Sequence, residues 1–455
     1  MVVVGGGISG LAAAWRLKLR RPDLKISVVE AAARFGGKLV TEARDGFVVD
    51  GAADGFLARK PPALDWARQL GLETELIEPR PEHRFSHVLW NRQLHRMPEG
   101  FSGLVPTDPD GLRKTTLLTP DGIERAVAEG EIPVRKEGPE ESVAAFFTRR
   151  FGAEAFQRLM EPLLAGIFAG DADKLSAEAA FPQLVSLERR GLSLKAGLAG
   201  TKADPGPAFR SFARGMASFP SAIEAELHRL GVELIPGRPV TGIGPGAEGW
   251  VVRTSRQRLR ANAVIAALPP RTTGSLVSGV SPSLAQILTS WPVSSVANLH
   301  LAFDQTELPG LPSGSGFVAP RAGHTDFSAA TWSSQKWPER APVGQVLVRI
   351  YFGGAKDPEG WRRQESSLVD AGLDLLASFQ AGRRPRPLWH RVFRWKDAFA
   401  QPDLGHAGRH RALQAAAVPG LVLAGGYFAG VGIPDCLARS EEAAEEVDRY
   451  LKEQD

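Results

Sequence analysis

The sequence predicts an α/β fold, α+β over the whole chain, and three patterns carry that prediction. Residues 1–30 read as strand, glycine-rich turn, helix and strand, and residues 420–451 read as strand, glycine-rich turn and helix. Residues 296–352 hold several segments in which apolar and polar side chains alternate, as in an antiparallel sheet. At 455 residues the chain is long enough for two or three domains.

Composition excludes several classes of protein. Apolar residues make up 43% of the chain and charged residues 23%, which is typical of a soluble globular protein and rules out wholesale disorder. A formal net charge of +4 is too small to indicate a nucleic-acid partner. The one cysteine, Cys436, excludes an intramolecular disulfide framework, and the nine histidines show no metal-ligand spacing, so we expect no metal site.

The distribution of apolar residues predicts no membrane-spanning helix. None of the charge-free stretches keeps the roughly 20 mostly apolar residues that such a helix needs. The first residues already follow a strand pattern, which leaves no room for a secretory peptide. We therefore predict a cytoplasmic protein, with contact to a membrane surface left open, and the sequence predicts no oligomeric state.

The predicted elements follow one another along the chain. The first unit comprises the strand Val2–Val4, a helix over Leu11–Leu19 and the strand Ile26–Val29. Residues 99–141 are rich in proline, glycine and charge, which predicts loops and short helices rather than a core element. Further helices are predicted at Ser142–Phe151, Ala153–Ala165, Pro220–Leu230 (after a linker-like segment at 200–207), Ser366–Phe379 and from about Pro434 to Leu451. Further strands are predicted at Val232–Ile235, Trp250–Thr254, Ala263–Leu268, Ala297–Phe303, Gly316–Ala319, Phe327–Trp332, Gln345–Phe352 and Gly420–Ala424.

The N-terminal turn carries a dinucleotide-binding motif. The run Gly5-Gly6-Gly7-Ile8-Ser9-Gly10 fits G-x-G-x-x-G, with a strand before it and a helix after it. The first glycine of the motif allows a tight turn, the second lets a pyrophosphate approach the backbone, and the third lets helix and strand pack closely. Glu30 ends the second strand about 20 residues after Gly10, where a carboxylate can bind a ribose. The motif predicts a Rossmann-like domain that binds either NAD or FAD.

The C-terminal turn has a similar character. Gly425-Gly426 and the run from Gly430 to Asp435 lead into the last predicted helix, and Pro434 suits its first turn because a missing N–H costs nothing there. The partial positive charge of that helix end favours an anion. In a flavoenzyme this anion would be the N1–C2=O2 edge of reduced flavin.

Several motifs together give the chain a family resemblance. Glu30-Ala31-x-x-Arg34-x-Gly36-Gly37-Lys38 resembles the continuation found in FAD-dependent amine oxidases, desaturases and porphyrinogen oxidases. Six further blocks resemble the oxygen-dependent protoporphyrinogen/coproporphyrinogen III oxidase family: Glu141–Gly152, Glu161–Asp171, Lys174–Ser176, Phe181–Pro182, Trp332–Pro342 and Gly430–Cys436. These blocks run nearly end to end in family order, and they are most similar to the bacterial soluble branch.

The resemblance implies a three-part architecture. An amine-oxidase-like FAD-binding domain would comprise residues 1–57, 208–272 and 395–455, an antiparallel-sheet substrate domain residues 58–90 and 273–394, and a mainly helical insertion residues 91–207. The predicted FAD contacts, from the glycine motif and the resemblance together, are Gly5, Gly6, Gly7, Ile8, Ser9, Gly10, Glu30, Ala31, Arg34, Gly36, Gly37, Lys38, Ala52, Ala53, Asp54, Gly55, Val240, Val431, Gly432 and Ile433.

One predicted contact loop departs from the family pattern. Ala52-Ala53-Asp54-Gly55 stands where the family usually has Gly-Pro, then a polar residue and serine. If the backbone there requires positive φ, Ala52 would be strained. The departure places the local flavin contact in question, but not the cofactor.

The resemblance also implies substrate contacts. It places Lys60, which follows Arg59, at a site for a porphyrinogen carboxylate, because a propionate needs a cation. It places Val318 and Trp332 where they would hold the tetrapyrrole against the flavin. The alternatives are solvated surface charges for Arg59 and Lys60, and a core position for Trp332.

The implied function is an FAD-dependent oxidation of a porphyrinogen to the porphyrin in haem biosynthesis. The substrate would be coproporphyrinogen III or protoporphyrinogen IX, with dioxygen as electron acceptor and hydrogen peroxide as product. The flavin carries this chemistry, and we assign no catalytic side chain. The alternatives are a flavin amine oxidase, which would need a paired-aromatic cage, a carotenoid desaturase, and a tetrapyrrole-binding flavoprotein without activity.

Overall fold

The structure, a computed structural model, describes residues 1–199, 206–323 and 325–454. Most of the linker-like segment predicted at 200–207 lies outside these residues. Within the described ranges, every helix is too short or too polar to span a lipid bilayer.

A five-stranded parallel sheet forms the centre of the first structural unit. Its strands, in spatial order, are Glu233–Ile235, Ser27–Val29, Val2–Val4, Val264–Ala266 and Leu421–Leu423. The central strand pairs on both sides, with Val2 opposite Ser27 and Val264. Its valines are buried on both faces, as expected for a parallel strand between helical layers. Three distant parts of the sequence therefore meet in one sheet.

The largest sheet is mostly antiparallel and has seven strands among the described residues. Its strands, in spatial order, are Trp389–Ala400, Val293–Asp304, Gln345–Gly353, Ala329–Trp332, Gly316–Val318, His87–Trp90 and Gln93–Arg96. The pair formed by Gly316–Val318 and His87–Trp90 is parallel. One face of the sheet packs on the helix Glu365–Ser378 around Leu299, Ile350 and Leu376.

The described residues also form four smaller sheets. One three-stranded sheet comprises Val240–Pro245, Trp250–Thr254 and Arg258–Ala261, and another comprises Phe56–Leu57, Phe209–Phe212 and Leu76–Ile77. Two-stranded hairpins are formed by Thr41–Arg44 with Phe47–Asp50 and by Phe101–Ser102 with Val105–Pro106.

The helices cover the sheets and form the insertion. Their bounds are Ile8–Arg20, Ala63–Gln69, Pro109–Arg113, Pro120–Val127, Val143–Phe151, Ala153–Ala155, Glu161–Phe168, Ala177–Ala180, Pro182–Arg189, Leu194–Ala199, Ser218–Arg229, Pro270–Leu276, Pro282–Thr289, Ser333–Lys336, Glu365–Ser378, His406–Ala415, Gly426–Ala429 and Ile433–Lys452. The first and last long helices contact each other beside the parallel sheet. A π-helical turn, Phe156–Met160, interrupts the single helix predicted over Ala153–Ala165.

The insertion has its own apolar core. This core is built mainly by side chains between Leu104 and Leu194, among them Phe147 and Phe151. The prediction that residues 99–141 contribute no core element is wrong in part, because Leu112 and Ala126 are fully buried there. Periodicity missed them because each lies on a helix of eight residues or fewer, too short to repeat an apolar pattern.

Two elements lie across or beyond the predicted domain limits. The strand Trp389–Ala400 runs through residues 394 and 395, where the prediction changes domain. The helix Ala63–Gln69, predicted in the substrate domain, buries Ala63, Trp66 and Ala67 in the same apolar cluster as the first helix.

Candidate functional site

The N-terminal glycine turn leads into a helix whose first backbone amides have no side-chain cap among the residues that the structure describes. The helix Ile8–Arg20 begins after Gly7, which caps it in an extended conformation with no side-chain hydrogen bond to the first turn. A Cβ on Gly10 would lie 1.8 Å from the carbonyl oxygen of Gly5, so the chain has no room for a side chain there. A Cβ on Gly7 would have its nearest neighbour at 3.8 Å, which leaves the backbone open. This open cradle at a helix N-terminus suits a pyrophosphate.

Glu30 holds the glycine turn from the next strand. Its carboxylate accepts hydrogen bonds from the Gly6 amide at 2.7 Å and from the Ala32 amide at 2.8 Å. The Arg238 amide donates to the carbonyl oxygen of Glu30 at 2.8 Å, which brings the chain just before Val240 beside this carboxylate. Glu30, predicted to bind a ribose, and Val240, another predicted FAD contact, thus lie in one region, and the carboxylate keeps lone pairs for a ribose.

The second pair of glycines closes over the first turn. The Gly36 amide donates to the Gly6 carbonyl at 2.8 Å, and Gly7 and Gly36 form an isolated bridge. Arg34 braces this turn by donating to the Gly37 carbonyl at 2.6 Å, while Ala31 is exposed. Arg34 was predicted as a cofactor contact. In the structure its guanidinium donates hydrogen bonds to the backbone carbonyls of Phe35 and Gly37.

Lys38 directly follows the second pair of glycines and is exposed. Its ammonium group donates to the Ala398 carbonyl at 2.6 Å and lies 5.7 Å from the centre of the Phe399 ring. The surrounding protein removes water from the ammonium group and lowers the pKa of Lys38, while Cys436 partly offsets this effect. A lysine placed in this way can bind an anionic part of a cofactor.

The loop Ala52–Gly55 is free of the strain that its sequence suggested. Neither Ala52 nor Ala53 is among the non-glycine residues with positive φ. Asp54 pairs with Lys336 at 2.9 Å and accepts a hydrogen bond from Trp337 Nε1 at 3.0 Å. Burial by itself would raise the pKa of Asp54, but the Lys336 and Arg349 charges outweigh it and hold that pKa well below its usual range. The loop is therefore anchored by a partly buried ion pair.

The C-terminal turn lies beside the same loop. The helix Ile433–Lys452 begins after Gly432, again with no side-chain cap, and Val431 packs against the core of the insertion. Lys60 Nζ lies 2.9 Å from Asp435 Oδ1 in the first turn of that helix. The structure thus places Lys60 next to the predicted flavin contacts, with half of its side chain exposed and one carboxylate partner.

Strand alternation separates the two predicted tetrapyrrole contacts. Val318 lies opposite Ala329, which lies opposite Tyr351, so these three side chains share one face of the large sheet. Trp332 points to the other face, where it is fully buried 5.8 Å from Phe317 and 6.0 Å from Phe379, measured between ring centres. The structure therefore places Trp332, predicted to contact the substrate, in the core of the sheet and on the face opposite Val318, because successive residues of a strand point to opposite faces.

We call the face of the large sheet that carries Val318, Ala329 and Tyr351 the site face. Sequence reasoning missed several residues on this face. Asn298 and His300 are only 2% and 1% exposed, and Asn298 Nδ2 donates to the Gly51 carbonyl at 2.9 Å. Tyr351 OH lies 3.1 Å from Thr331 Oγ1 on the neighbouring strand. The apolar alternation of 296–303 could have flagged Asn298 and His300, because polar side chains in a buried strand share a face at every second residue.

The fold and the two glycine turns define a dinucleotide-binding protein, and the large sheet lies over its binding site. The family model of flavin containing amine oxidoreductases matches residues 8–448. The chain is 32% identical to coproporphyrinogen III oxidase of Bacillus subtilis (strain 168), covering 99% of this chain and 98% of that protein. It is 29% identical to human protoporphyrinogen oxidase, covering 98% and 97%. The chain belongs to the flavin containing amine oxidoreductase family.

Solved structures agree with this assignment. A crystal structure from Exiguobacterium sp. 255-15, of a candidate protoporphyrinogen oxidase, superposes with a TM-score of 0.87 at 30% identity and covers 99% of this chain and 98% of that one. Cyclohexylamine oxidase from Brevibacterium oxydans IH-35A has a TM-score of 0.71 at 17% identity over 99% of both chains, which shows a shared fold. The predicted α/β fold and the predicted FAD are confirmed, and the open glycine cradle fits that cofactor.

Proposed function

We propose that this chain is an FAD-dependent oxidase that converts a porphyrinogen to the porphyrin in haem biosynthesis. The observation that carries the proposal is the end-to-end match, at 32% identity, to a relative named coproporphyrinogen III oxidase, together with similar matches to protoporphyrinogen oxidases. The three-part fold and the site face of the large sheet are compatible with a flat macrocycle held against a flavin.

The chemistry divides between cofactor and protein. When bound, FAD supplies the electron acceptor for three two-electron oxidations of one macrocycle, with dioxygen taking the electrons and yielding hydrogen peroxide. The amides after Gly7 and the turn at Gly36-Gly37 would hold the pyrophosphate, and Glu30 the ribose. The protein's part is to bind and orient, because positioning alone supplies much of the rate.

The macrocycle would lie against the site face of the sheet. Val318, Ala329 and Tyr351 form one row there and are only partly buried, so they remain accessible to a ligand. Val318 and Val431 both pack against the core of the insertion. Lys60, with Arg59 next to it in the sequence, would bind a propionate of the macrocycle at the edge of the site.

Steady-state assays test the proposal. Purified protein loaded with FAD should oxidise coproporphyrinogen III, protoporphyrinogen IX or both, giving porphyrin fluorescence together with hydrogen peroxide. The ratio of kcat/KM for the two porphyrinogens would identify the preferred substrate. Turnover of neither porphyrinogen by a fully flavinylated protein would refute the proposal, and parallel assays with amines and carotenoids would then test the superfamily alternatives.

A further inference from the structure

One face of the three-stranded sheet around Trp250–Thr254 is formed by arginines. Successive side chains of a strand point to opposite faces, and those of Trp250, Val252 and Ala261 point inward, where they are buried. They belong to an apolar cluster that also contains side chains of the central parallel strand. The exposed arginines on the outer face are Arg253, Arg258 and Arg260, and with Arg256, in the turn between the two strands, they make up what we call the arginine face.

The arginine face concentrates positive charge. Arg253 lies directly opposite Arg258 in the register of the two strands, and Arg260 follows two residues later on the same face. Like charges that lie directly opposite each other in a sheet destabilise it. None of the four arginines forms an ion pair with a carboxylate in the part of the chain that the structure describes. The described fold therefore gives this charge no stabilising partner.

The turn at one end of the face has a fixed conformation. Thr254 Oγ1 accepts hydrogen bonds from the amides of Arg256 and Gln257, at 3.2 Å and 3.0 Å. Arg256 is exposed in this turn and adds the fourth positive charge. Within residues 240–261 the sequence has one acidic residue, Glu248, which lies in the connection at the other end of the strand. The positive charge of the face is thus not balanced within its own sheet.

Two glycines let one of these arginines lie along the sheet. Gly242 and Gly244 are buried on the neighbouring strand, and Gly242 lies opposite Arg253. A Cβ on Gly242 would lie 3.0 Å from Nη2 of Arg253, and a Cβ on Gly244 would lie 3.4 Å from its Nη1. The guanidinium therefore rests on the backbone of that strand instead of standing out from the sheet. The resulting surface is level and positively charged, which fits a flat anionic partner.

The make-up of the arginine face distinguishes between classes of partner. Protein interfaces have an apolar centre and a polar rim, whereas this face has charge at its centre, and Val251 between the arginines is half-buried. A net charge of +4 is too small to indicate nucleic acid. A bilayer that contains anionic phospholipids attracts basic side chains without an apolar anchor, and a guanidinium can donate two hydrogen bonds to one phosphate. Charge complementarity therefore favours the bilayer.

We propose that the arginine face binds the surface of an anionic phospholipid bilayer. The contact is electrostatic and reversible, because the face offers guanidinium groups and has no large apolar side chain that is exposed. It is also separate from the glycine turns and from the site face of the large sheet. The inference goes beyond the porphyrinogen proposal and does not depend on it.

Vesicle sedimentation with the FAD-loaded full chain tests the proposal. We expect the protein to sediment with vesicles made of phosphatidylglycerol and phosphatidylcholine in equal parts, and to stay in the supernatant with vesicles of phosphatidylcholine alone. The bound fraction should fall as the salt concentration rises, because salt screens the attraction between exposed charges. The measurement contains no porphyrinogen, so its outcome is independent of enzyme activity.

A double variant locates the contact. Arg258→Gln with Arg260→Gln should lower the partition coefficient for the anionic vesicles about 30-fold, which is about 5-fold for each arginine. Arg68→Gln with Arg362→Gln is the matched control. It removes the same charge from two exposed arginines that pair with Asp65 and with Glu359, and it should bind the vesicles like the parent.

The outcomes that would overturn the proposal are distinct. Failure of the parent to bind anionic vesicles at low salt overturns it, and so does a folded Arg258→Gln and Arg260→Gln protein that binds like the parent. Binding of a DNA duplex without binding to vesicles assigns the face to nucleic acid and also overturns it. If the double variant does not fold, Arg256→Gln in the turn replaces it, with an expected loss of about 5-fold.

Discussion

At the scale of single residues, charged and polar side chains hold backbone turns around the site. Glu30 accepts hydrogen bonds from the amides of Gly6 and Ala32, and Arg34 donates to the Gly37 carbonyl. Asn298 and Arg349 fasten the loop after Gly51. These side chains shape the site without needing to touch a substrate. Lys60 differs from them because it lies at the edge of the site and, among the residues that the structure describes, its ammonium group pairs with a side chain, that of Asp435.

Lys60→Met tests this residue as a substrate contact. The variant loses one charge-assisted contact to a propionate and leaves Asp435 without its cation, so we expect the KM for the porphyrinogen to rise about 10- to 100-fold. The absorbance spectrum of the bound flavin should stay unchanged, because the substitution leaves the glycine turns intact. Steady-state kinetics and the visible spectrum measure both.

The helix Ile433–Lys452, which carries Asp435, offers a matched control. Lys452 pairs with Asp448 at 2.9 Å near its C-terminal end, the same distance as the Lys60–Asp435 pair at its first turn. Lys452→Met should leave KM unchanged. If Lys60→Met and Lys452→Met have the same KM, Lys60 does not contact the substrate.

At the scale of elements, one buried ion network ties the short helices of the insertion together. Arg150, on the helix Val143–Phe151, is fully buried and donates from Nε to Glu129 at 2.8 Å. It also lies 3.3 Å from Glu188 on another helix. The Glu129 carboxylate in turn accepts the Leu194 amide at 3.0 Å, at the start of the helix Leu194–Ala199. Glu129 lies on the short 3-10 helix Ala128–Glu131, so four short elements share one charged centre.

Arg150→Met should destabilise the insertion strongly. It leaves Glu129 buried without its cation, and breaking a buried pair in this way costs about 3–5 kcal/mol of unfolding free energy. Arg189→Met is the control, because Arg189 is about half exposed and its pair with Glu178 is worth at most about 1 kcal/mol. Urea unfolding of both variants measures the difference. Equal, small losses in the two would show that the network does not hold the insertion together.

At the scale of the whole molecule, four histidines link stability to pH. Burial lowers the pKa of His87, His300 and His410, and burial together with the His410 charge lowers the pKa of His406 to about 4. Between the folded and unfolded pKa values, the unfolded chain binds protons that the folded chain does not. The free energy of unfolding therefore decreases as pH falls below about 6.5, by at most about 1.4 kcal/mol per pH unit for each histidine.

His406→Gln tests the contribution of one of these groups. Because the pKa of His406 is about 6.5 in the unfolded chain and about 4 in the folded one, the parent should lose stability from about pH 7 down to about pH 4, and the variant should lack this part of the loss. The difference in unfolding free energy between parent and variant should thus be constant above about pH 7.5 and change in the variant's favour as pH falls. Urea unfolding at several pH values measures it, and a difference that stays constant throughout would contradict the expected linkage.

The sequence by itself determined the elements whose signals are local. The strand Val2–Val4 and the strand Trp250–Thr254 have their predicted bounds, and the helix Ile8–Arg20 lies where the glycine motif placed it. A glycine turn between strand and helix is fixed by steric rules within a few residues, so Gly5–Gly10 identified a dinucleotide site without any tertiary contact. The family's motifs added the flavin.

Only the tertiary structure decided which faces and which distant segments meet. Alternation shows that Trp332 and Val318 occupy strands, but only the pairing of those strands places Trp332 in the core and Val318 on the site face. Asn298 meets Gly51 across 247 residues of sequence, and Arg349 meets Ala52 across 297. No local pattern encodes these contacts, because each depends on the packing of a sheet against a loop folded from another part of the chain.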